Sequence, residues 1–385
     1  MYLKFRMVMV CALLPIVTVL AQDKPEVTIG GALRYNYNYS SWKEGHQKRG
    51  GDFGLDVFRL NAKANYKKLS LDAEYRLYST DFGGGMLKHG YVGYELNDNS
   101  NLQLGLTQVP FGILPYNSNS FFFSMNYYVG LEDDYDMGIK YSYRKNNWEL
   151  DLGFFKNAEE LRFGSNTDTD PSRYSYDVGS IVIDGETVLR NKEVNQLNGR
   201  VGYNWGSDAV AHHVGTSAQY GGLYNLDTEE LGNHYAFEGH YQLKVNRFGL
   251  KAGVAYYKYN AENPLEQGKD LIAFVAYGAS YMVAAEAYTY TAGASYTLPV
   301  NWEHISSFTF YNDFGMLDKC NDGFEDAFMN VTGVMVSAGP IYTYIDYAMG
   351  KNQPWLSPEW TNGLGAGNPD AEWEARFNIN IGYYF

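Results

Sequence analysis

The most regular feature of the chain is a two-residue alternation of apolar and polar side chains. In LSLDAEYRLY, at 69–78, leucine, leucine, alanine, tyrosine and leucine alternate with serine, aspartate, glutamate, arginine and tyrosine. The same alternation recurs at 58–66, 135–144, 196–205 and 234–245. Successive side chains of a strand point to opposite faces of a sheet, so each stretch predicts a strand with one apolar and one polar face.

Extended along the whole chain, this reading predicts sixteen strands. They lie at about 26–40, 55–66, 69–79, 86–96, 101–110, 135–144, 147–157, 193–205, 212–225, 233–245, 248–260, 284–298, 303–314, 326–337, 340–350 and 372–385. Short links such as NDNSN, RKNN and KVNR alternate with longer links near 41–54, 80–85, 111–134, 158–192, 226–232, 261–283, 315–325 and 351–371. Short turns at one end and long loops at the other are typical of bacterial outer-membrane barrels. The 261–283 link could hold strand residues or a loop folded inward.

A soluble antiparallel sandwich would also alternate, so strand length and aromatic placement decide between the two folds. Most strands run about 10–14 residues, which is long for a sandwich. Aromatic residues such as Tyr75, Tyr143, Tyr203 and Trp205 lie at strand ends, as in the girdles of a membrane barrel. The sequence therefore predicts an all-β, 16-stranded antiparallel transmembrane β-barrel over residues 22–385. A barrel of this size has an aqueous lumen.

The amino-terminal stretch MYLKFRMVMVCALLPIVTVLAQD adds an export prediction. Lys4 and Arg6 precede an apolar run that ends in Val-Leu-Ala, the pattern of a signal peptide cleaved after Ala21. The chain has 30 Lys and Arg against 44 Asp and Glu. Without the signal the balance is 28 against 44, or −16, and such acidity argues against nucleic acid as a partner. Cys320 would then be the remaining cysteine, so no internal disulfide is expected.

The carboxyl-terminal stretch FNINIGYYF keeps the alternation to the final residue. Phe377, Ile379, Ile381, Tyr383 and Phe385 are predicted to face lipid, and Asn378, Asn380 and Gly382 to face the lumen. The last strand must pair with the first to close the sheet edge. Apolar residues at every second place before a terminal Phe also resemble the signal read by the outer-membrane assembly machinery, here Ile381, Tyr383 and Phe385.

The polar faces predict which charges line the lumen. The predicted lumen bases are Arg34, Arg59, Lys63, Arg76, Lys140, Arg144, Arg200, Lys244, Lys251 and Arg376, and the acids include Asp72, Glu74, Asp136, Glu149, Asp151, Glu238 and Glu374. Five of these bases lie on the first three strands and the last, which become neighbours when the barrel closes. They could form a basic wall that draws anions into the pore. Alternatively, they pair with the acids across strands and form a neutral wall.

The stretch LQLGLTQVPFGILPYNSNSFFF carries a family resemblance. A strand that passes through Gly105 and Pro110-Phe111-Gly112 into a long aromatic loop resembles the phosphate-selective porin O and P family. The resemblance covers roughly residues 50–160 and implies a trimeric, sixteen-stranded outer-membrane channel. It also implies that the first long loop, here 111–134, folds inward and narrows the pore, and that basic residues select anions. In this chain, residues 111–134 contain no Arg or Lys.

The residues predicted at this constriction are Pro110, Phe111, Gly112, Asn117, Asn119, Phe122 and Tyr127. The loop aromatics are predicted to pack the loop against the inner wall, and a stacking platform for sugars is the alternative. Acidic stretches such as LEDDYD, NTDTDP and CNDGFED are predicted to be solvated in outer loops, with divalent cations bridging them to lipid phosphates as an alternative. No stretch fits the twelve-residue calcium-loop pattern.

The predicted function is passive diffusion of small hydrophilic solutes, including anions such as phosphate, through an outer-membrane porin. The expected partners are membrane lipid, these solutes, the assembly machinery and two further copies of the chain. The alternative is a plugged or structural barrel that acts as an adhesin, receptor or complex partner through loops such as 158–192. No nucleophile elbow, zinc-protease motif or phosphate loop is present, so neither an enzyme, a cofactor nor a metal site is expected.

Overall fold

The computed structural model describes residues 24–160 and 167–385, so the predicted signal peptide lies outside the described residues. The strands are β1 (Glu26–Ser40), β2 (Asp52–Tyr66), β3 (Leu69–Leu77), β4 (Gly85–Asn97), β5 (Ser100–Gln108), β6 (Tyr135–Lys145), β7 (Trp148–Ala158), β8 (Asp177–Val178), β9 (Ile181–Ile183), β10 (Glu186–Val188), β11 (Asn191–Gly206), β12 (Val210–Asn225), β13 (Leu231–Val245), β14 (Phe248–Asn260), β15 (Leu271–Ala276), β16 (Ala279–Ala284), β17 (Glu286–Pro299), β18 (Ser307–Lys319), β19 (Ala327–Ala338), β20 (Ile341–Lys351) and β21 (Glu374–Tyr384). All sixteen predicted strands are present, with ends within five residues of the prediction, and the largest difference is at β18, which was predicted at 303–314.

Sixteen of these strands form one closed barrel, which confirms the predicted fold. The order is β1 to β7, β11 to β14 and β17 to β21, and each strand pairs antiparallel with the next. The last strand pairs with the first from Ala32 opposite Tyr384 to Ser40 opposite Arg376. A barrel closed in this way has no free strand edge.

The other five strands lie in two long connections. β9 and β10 form a hairpin, while β15, β16 and β8 form a three-stranded sheet in which Phe274 pairs with Val178. The 261–283 link therefore contains a strand hairpin that stands outside the barrel order. Its backbone also bonds to the last long connection, because Met282 N donates to Thr361 O and Ala284 N donates to Leu364 O.

Two of the register shifts in the barrel turn a charged residue inward against the strand alternation. In the β1–β2 pair, Arg34 lies opposite Val57 and Tyr35 opposite Leu55, so Asp56 has no partner across the strand. In the β3–β4 pair, Glu74 lies opposite His89 and Tyr75 opposite Leu87, so Lys88 is skipped. A bulge adds one residue to its strand, so residues beyond it point to the opposite face from the one that strict alternation predicts.

The outward face and the interior differ as the alternation predicts. Large apolar side chains on the outward face are exposed, including Phe237 at 54% and Val254 at 47%. The main buried apolar cluster lies inside, where inward wall residues such as Tyr257 and Met329 meet Phe274, Leu364 and other residues of the connections. In residues 24–160 and 167–385, no helix is long and apolar enough to span a membrane.

Candidate functional site

A cavity of about 680 Å³ lies between the barrel wall and residues 111–134, which we call the inner segment. Its wall side carries Arg34, Arg59, Arg76 and Arg376, from β1, β2, β3 and β21. β1, β2 and β3 are consecutive strands, and closure of the barrel places β21 beside β1, so Arg376 from the other end of the chain joins the three arginines in one space. We call this cavity the arginine chamber.

Three of the four arginines have acidic partners. Arg34 lies 2.9 Å from Asp56, measured from Nε to Oδ2. Arg76 and Arg59 share Glu74, at 2.6 Å and 3.6 Å. The cross-strand pairing expected from the sequence alternative is therefore present at the chamber, in part through the bulge residue Asp56.

Arg376 differs from the other three, because it makes no ion pair within the part of the chain that the structure describes. Its Nε donates to Ser40 Oγ at 3.3 Å, and its guanidinium lies 5.5 Å from the centre of the Trp42 ring. The chamber lining contains four arginines against Asp52 and Asp56, a balance of +2. Including Glu74 behind the lining, the balance is +1. Each of the two alternatives for the basic wall thus describes a part of the chamber. Three of the four arginines pair with acids, yet the chamber lining keeps a net positive charge.

Aromatic rings of the wall and of the connections line the rest of the chamber. Arg34 lies 5.5 Å from the Phe121 ring centre, Arg59 lies 4.9 Å from that of Tyr384 and Arg76 lies 4.5 Å from that of Tyr174. Further aromatic lining residues are Phe53, Tyr78, Phe82, Tyr116, Phe122, Phe123, Tyr127, Tyr128, Tyr176, Tyr277, Tyr344 and Trp355. Guanidinium groups over ring faces gain cation–π attraction while keeping N–H groups available to a solute.

The inner segment is anchored to the barrel wall opposite its own strands. Gly112 N donates to Ser217 Oγ at 3.0 Å, and Gly112 O accepts from Arg200 Nε at 2.8 Å. Asp313 accepts from the backbone N of Asn119 at 2.8 Å and from its side-chain Nδ2 at 2.7 Å. These bonds run from the β5–β6 connection to β11, β12 and β18, so the segment lies against the inner face.

The inner segment separates the chamber from a second cavity of about 600 Å³. Residues of the short β13–β14 turn, Asn246 and Arg247, line this second cavity, whereas the chamber reaches the long-loop end at Phe82 and Trp355. Asn119 lines both cavities. The two spaces therefore meet at the inner segment and open toward opposite ends of the barrel.

The remaining predicted lumen bases are spread around the wall. Arg144 pairs with Asp151 at 2.7 Å, and Lys63 with Asp72 at 3.2 Å. Lys140 Nζ donates to Gln108 O at 2.8 Å. Three bases, Arg200, Lys244 and Lys251, line the second cavity rather than the chamber.

Two of these bases also hold the inner segment. Arg200 lies 2.9 Å from Glu149, and Lys251 Nζ donates to the backbone carbonyls of Tyr116 and Ser118 at 2.9 and 2.8 Å. A part of the predicted basic lining is thus engaged in positioning the segment.

The predicted constriction residues occupy two environments. Pro110, Phe111, Phe122 and Tyr127 are buried, and the last three belong to the main apolar cluster. The packing predicted for the loop aromatics therefore holds for these buried rings. The polar members brace the segment: Ile113 N donates to Asn117 Oδ1 at 3.0 Å, and Asn117 N donates to Glu132 at 2.8 Å.

The predicted solvation of LEDDYD is wrong. Glu132, Asp133 and Asp134 are only 4%, 3% and 6% exposed, because the end of the inner segment folds under the other connections. Burial raises the pKa of Glu132 to about 7, although hydrogen bonds from Ser124 and Asn117 oppose the shift. Asp133 binds Lys88 Nζ at 3.0 Å.

Lys88 is the main base that the alternation missed. Its ammonium group lies 4.6 Å from the ring centre of Tyr174 and 5.0 Å from that of Tyr135. Strand parity groups Lys88 with the apolar Met86 and Val92, and the bulge turns it inward. A single sequence carries no mark of that bulge.

The carboxyl-terminal strand follows the predicted faces. Ile381, Tyr383 and Phe385 are exposed on the outward face at 38%, 51% and 60%. Asn378 and Asn380 are buried inside, and Asn380 Nδ2 donates to Asp56 at 3.0 Å. Phe385 N and O both bond to Gly31, which extends the closing pair beyond the assigned strand.

A closed sixteen-stranded barrel is the architecture of outer-membrane porins. Residues 27–189 match the family model described as phosphate-selective porin O and P. This match includes Gly105 and Pro110-Phe111-Gly112, which carried the resemblance, and with the barrel it places the chain in the outer membrane. No curated protein sequence matches the chain.

Solved structures confirm the fold. OmpT (in-vitro folded), an outer membrane protein of Vibrio cholerae, has a TM-score of 0.56 at 15% identity, and the alignment covers 96% of this chain and 100% of that one. The anion-selective porin from Comamonas acidovorans has a TM-score of 0.56 at 14% identity, with 94% and 100% covered. The outer membrane channel DcaP of Acinetobacter baumannii has a TM-score of 0.55 at 12% identity, and the alignment covers 94% of this chain and 97% of that one.

Proposed function

We propose that this porin is a passive-diffusion channel for small hydrophilic solutes and that it favours anions. The observation that carries the proposal is the arginine chamber, whose lining has four arginines against two aspartates. In a narrow space with low-dielectric walls, a small excess of one charge concentrates counter-ions. The inner segment, where the chamber meets the second cavity, would form the constriction.

Because three of the arginines are paired with acids, they should bind an anion weakly enough for it to pass through the channel. Arg34, Arg59 and Arg76 share their charge with Asp56 and Glu74, which weakens the hold on an anion. A channel needs binding that is favourable enough for entry and weak enough for release. Phosphate and small carboxylates are the solute classes that guanidinium groups recognise through two parallel N–H donors.

The test is the reversal potential of single channels in a planar bilayer under a KCl gradient. The wild type is expected to show stepwise conductance with anion preference. Arg376→Gln removes a positive charge that has no acidic partner in the described residues. That charge attracts an anion and repels a cation by roughly 1 kcal/mol each at about 8 Å and intermediate dielectric, so its loss should lower the ratio of anion to cation permeability by at least about fivefold.

Arg144→Gln is the matched control, because Arg144 pairs with Asp151 and does not line the chamber. It should leave the permeability ratio near the wild-type value. Cation preference, no preference, or equal effects of the two substitutions would contradict the anion proposal.

The second candidate is a plugged barrel that serves as a receptor, adhesin or complex partner. The observation in its favour is the large apolar cluster inside the barrel, to which Phe122, Phe274 and Leu364 of three different connections contribute. The same bilayer experiment separates the two functions, since a plugged barrel would give no conductance steps. Of the 158–192 loop, residues 161–166 lie outside the described part.

We also propose a homotrimer, which rests on the family resemblance. Chemical cross-linking of the protein in mild detergent should give a ladder that ends at three chains. A single band at one chain would contradict it.

A further inference from the structure

Five buried carboxylates meet behind the inner segment, away from the arginine chamber. Asp134 ends the inner segment, Asp136 lies at the start of β6, Glu159 follows β7, Asp177 begins β8 and Glu193 lies in β11. We call these five residues the buried acidic cluster. Their exposed fractions are 6%, 1%, 4%, 2% and 8% in that order. The cluster therefore joins the inner segment, the interior sheet and the barrel wall.

Three members lie close enough to share one ion. One carboxylate oxygen from each of Asp134, Asp136 and Asp177 lies within 4.8 Å of the others. Two oxygen atoms bound to the same Ca²⁺ at 2.3–2.6 Å can be separated by no more than about 5 Å. The spacing thus fits three oxygen ligands around a common centre.

The charge of the cluster is not balanced by the protein around it. Within the described residues, Arg173 is the cation paired with it, and it lies 3.3 Å from Glu159 and also contacts Asp177. Five carboxylates against one guanidinium leave −4. Charges that are buried without partners are costly, and real proteins pair them, neutralise them or coordinate a metal.

Unpartnered oxygen atoms give an independent indication of a ligand. Asp134 Oδ1, Asp136 Oδ1 and Glu159 Oε2 are buried, and no hydrogen-bond donor of the described residues reaches them. Asp134 is the clearest case, because no hydrogen bond to its carboxylate is present in the described part of the chain. Buried polar atoms in native proteins nearly always have a partner, so these oxygens indicate an occupant that supplies positive charge.

Burial also opposes the charged state of these groups. It raises the pKa of Asp134 well above its usual range, and the neighbouring Asp136 adds to the effect. Burial likewise raises the pKa of Asp177, although Arg173 opposes the shift. A bound divalent cation would offset both the cost of burying these charges and their mutual repulsion.

We propose that the buried acidic cluster is a Ca²⁺ site, with Asp134, Asp136 and Asp177 as its central ligands. Hard cations take carboxylate oxygen ligands, and no histidine or cysteine belongs to the triad. Mg²⁺ fits less well, since it dehydrates reluctantly and usually keeps several waters, whereas this cluster is almost wholly buried. The ion would fasten the inner segment and β8 to the wall strand β6.

The first test uses the unaltered full-length barrel in detergent and needs no variant. After treatment with EGTA, Ca²⁺ is returned and binding is measured by titration calorimetry, with Tb³⁺ luminescence as the second probe. Tyr135 lies between Asp134 and Asp136 in sequence and can sensitise bound Tb³⁺. We expect one site per chain with a dissociation constant of about 0.1 mM or tighter. We also expect the unfolding temperature to rise by several degrees with Ca²⁺.

The second test substitutes the least partnered ligand. Asp134→Asn keeps the size of the side chain and should weaken Ca²⁺ binding at least tenfold and abolish the temperature rise. Asp322→Asn is the matched control, because Asp322 belongs to the exposed acidic stretch CNDGFED and should leave binding unchanged.

Two results would overturn the proposal. The wild type could bind no Ca²⁺ at millimolar concentration, which would mean that shared protons neutralise the cluster. Alternatively, Asp134→Asn could bind Ca²⁺ and Tb³⁺ as the wild type does, which would place the ion elsewhere. Both results are independent of channel conductance, so they can be told apart from failure of the proposed function.

Discussion

At the scale of single residues, Gly112 makes a close contact between the inner segment and the far wall. Its φ is +65°, and a methyl group at its Cα would lie 2.8 Å from both carboxylate oxygens of Glu238. Glu238 also accepts a hydrogen bond from Asn126 Nδ2 at 3.0 Å. Residue 112 must therefore be glycine for two reasons, backbone conformation and space.

We expect Gly112→Ala to loosen the inner segment by about 1–3 kcal/mol, because the methyl group would push Glu238 away from Asn126. The measurement is open-channel current noise in the bilayer, which should rise as the segment moves. Gly84→Ala is the control, since Gly84 has a similar φ of +70° but nothing within 4 Å of the added methyl. Equal noise in the two variants would show that the contact with Glu238 does not position the segment.

At the scale of elements, the inner segment should respond to pH through Glu132. The Glu132 carboxylate accepts hydrogen bonds from the backbone N of Asn117 and of Ser124. It therefore connects the carboxyl-terminal end of the inner segment to its middle. Its pKa is raised by burial to about 7. A group that binds its proton more tightly in the packed state stabilises that state at low pH and loses this effect as the pH rises.

We therefore expect the backbone amides of residues 111–134 to exchange more slowly at pH 5 than at pH 8. The packed segment loses up to about 3 kcal/mol of stability as the pH rises from about 4.5 to 7. Hydrogen exchange, corrected for the intrinsic rate at each pH, measures this difference. Glu132→Gln should remove most of the pH dependence, and an unchanged profile in that variant would assign it to another group.

The last strand is the second element that carries a prediction. Phe385 continues the β1–β21 pairing through both backbone bonds to Gly31, and its ring lies over that glycine, where an added methyl would be 2.8 Å from Cζ. We propose that this end of the strand, with Ile381 and Tyr383, is read by the assembly machinery.

Deleting Phe385 should reduce the amount of folded barrel in the membrane several-fold and leave the conductance of each assembled channel unchanged. Heat-modifiable mobility on gels measures the folded fraction. Phe237→Ala serves as the control, because Phe237 is similarly exposed, at 54%, on the outward face of β13 and does not line the chamber. Normal assembly after the deletion would contradict the proposed role.

At the scale of the whole molecule, the barrel could be predicted from sequence because its strands are encoded by patterns among residues close together in the chain. Strand alternation, short turns and long links identified all sixteen barrel strands, and the lipid-facing residues of β21 follow the predicted parity. The charges at Arg34, Arg59, Arg76 and Arg376 were also placed inward, and closure brought Arg376 beside the other three. The features that could be predicted, strand positions and the faces of their side chains, are those that repeat every two residues.

The contents of the barrel could not be predicted in the same way, because they depend on contacts between distant connections. The burial of LEDDYD follows from how the connections pack over one another. The buried acidic cluster draws its members from 134, 136, 159, 177 and 193, a spacing that matches no motif. Lys88 and Asp56 were missed because a one-residue bulge reverses parity locally and leaves no sign in the composition.

The bulge at Asp56 makes the charge of the arginine chamber adjustable without changing the surface that meets lipid. Asp56 stands outside the pairing of β1 and β2, and its side chain lines the chamber beside Arg34. Exchanging this one residue changes the charge next to Arg34 while the outward row of β2 stays constant. Lys88 at the other bulge is different, because it lines neither cavity and its exchange would leave the buried Asp133 without a cation. Protein engineers could thus retune what passes through the barrel at a single position while the signals for membrane insertion remain intact.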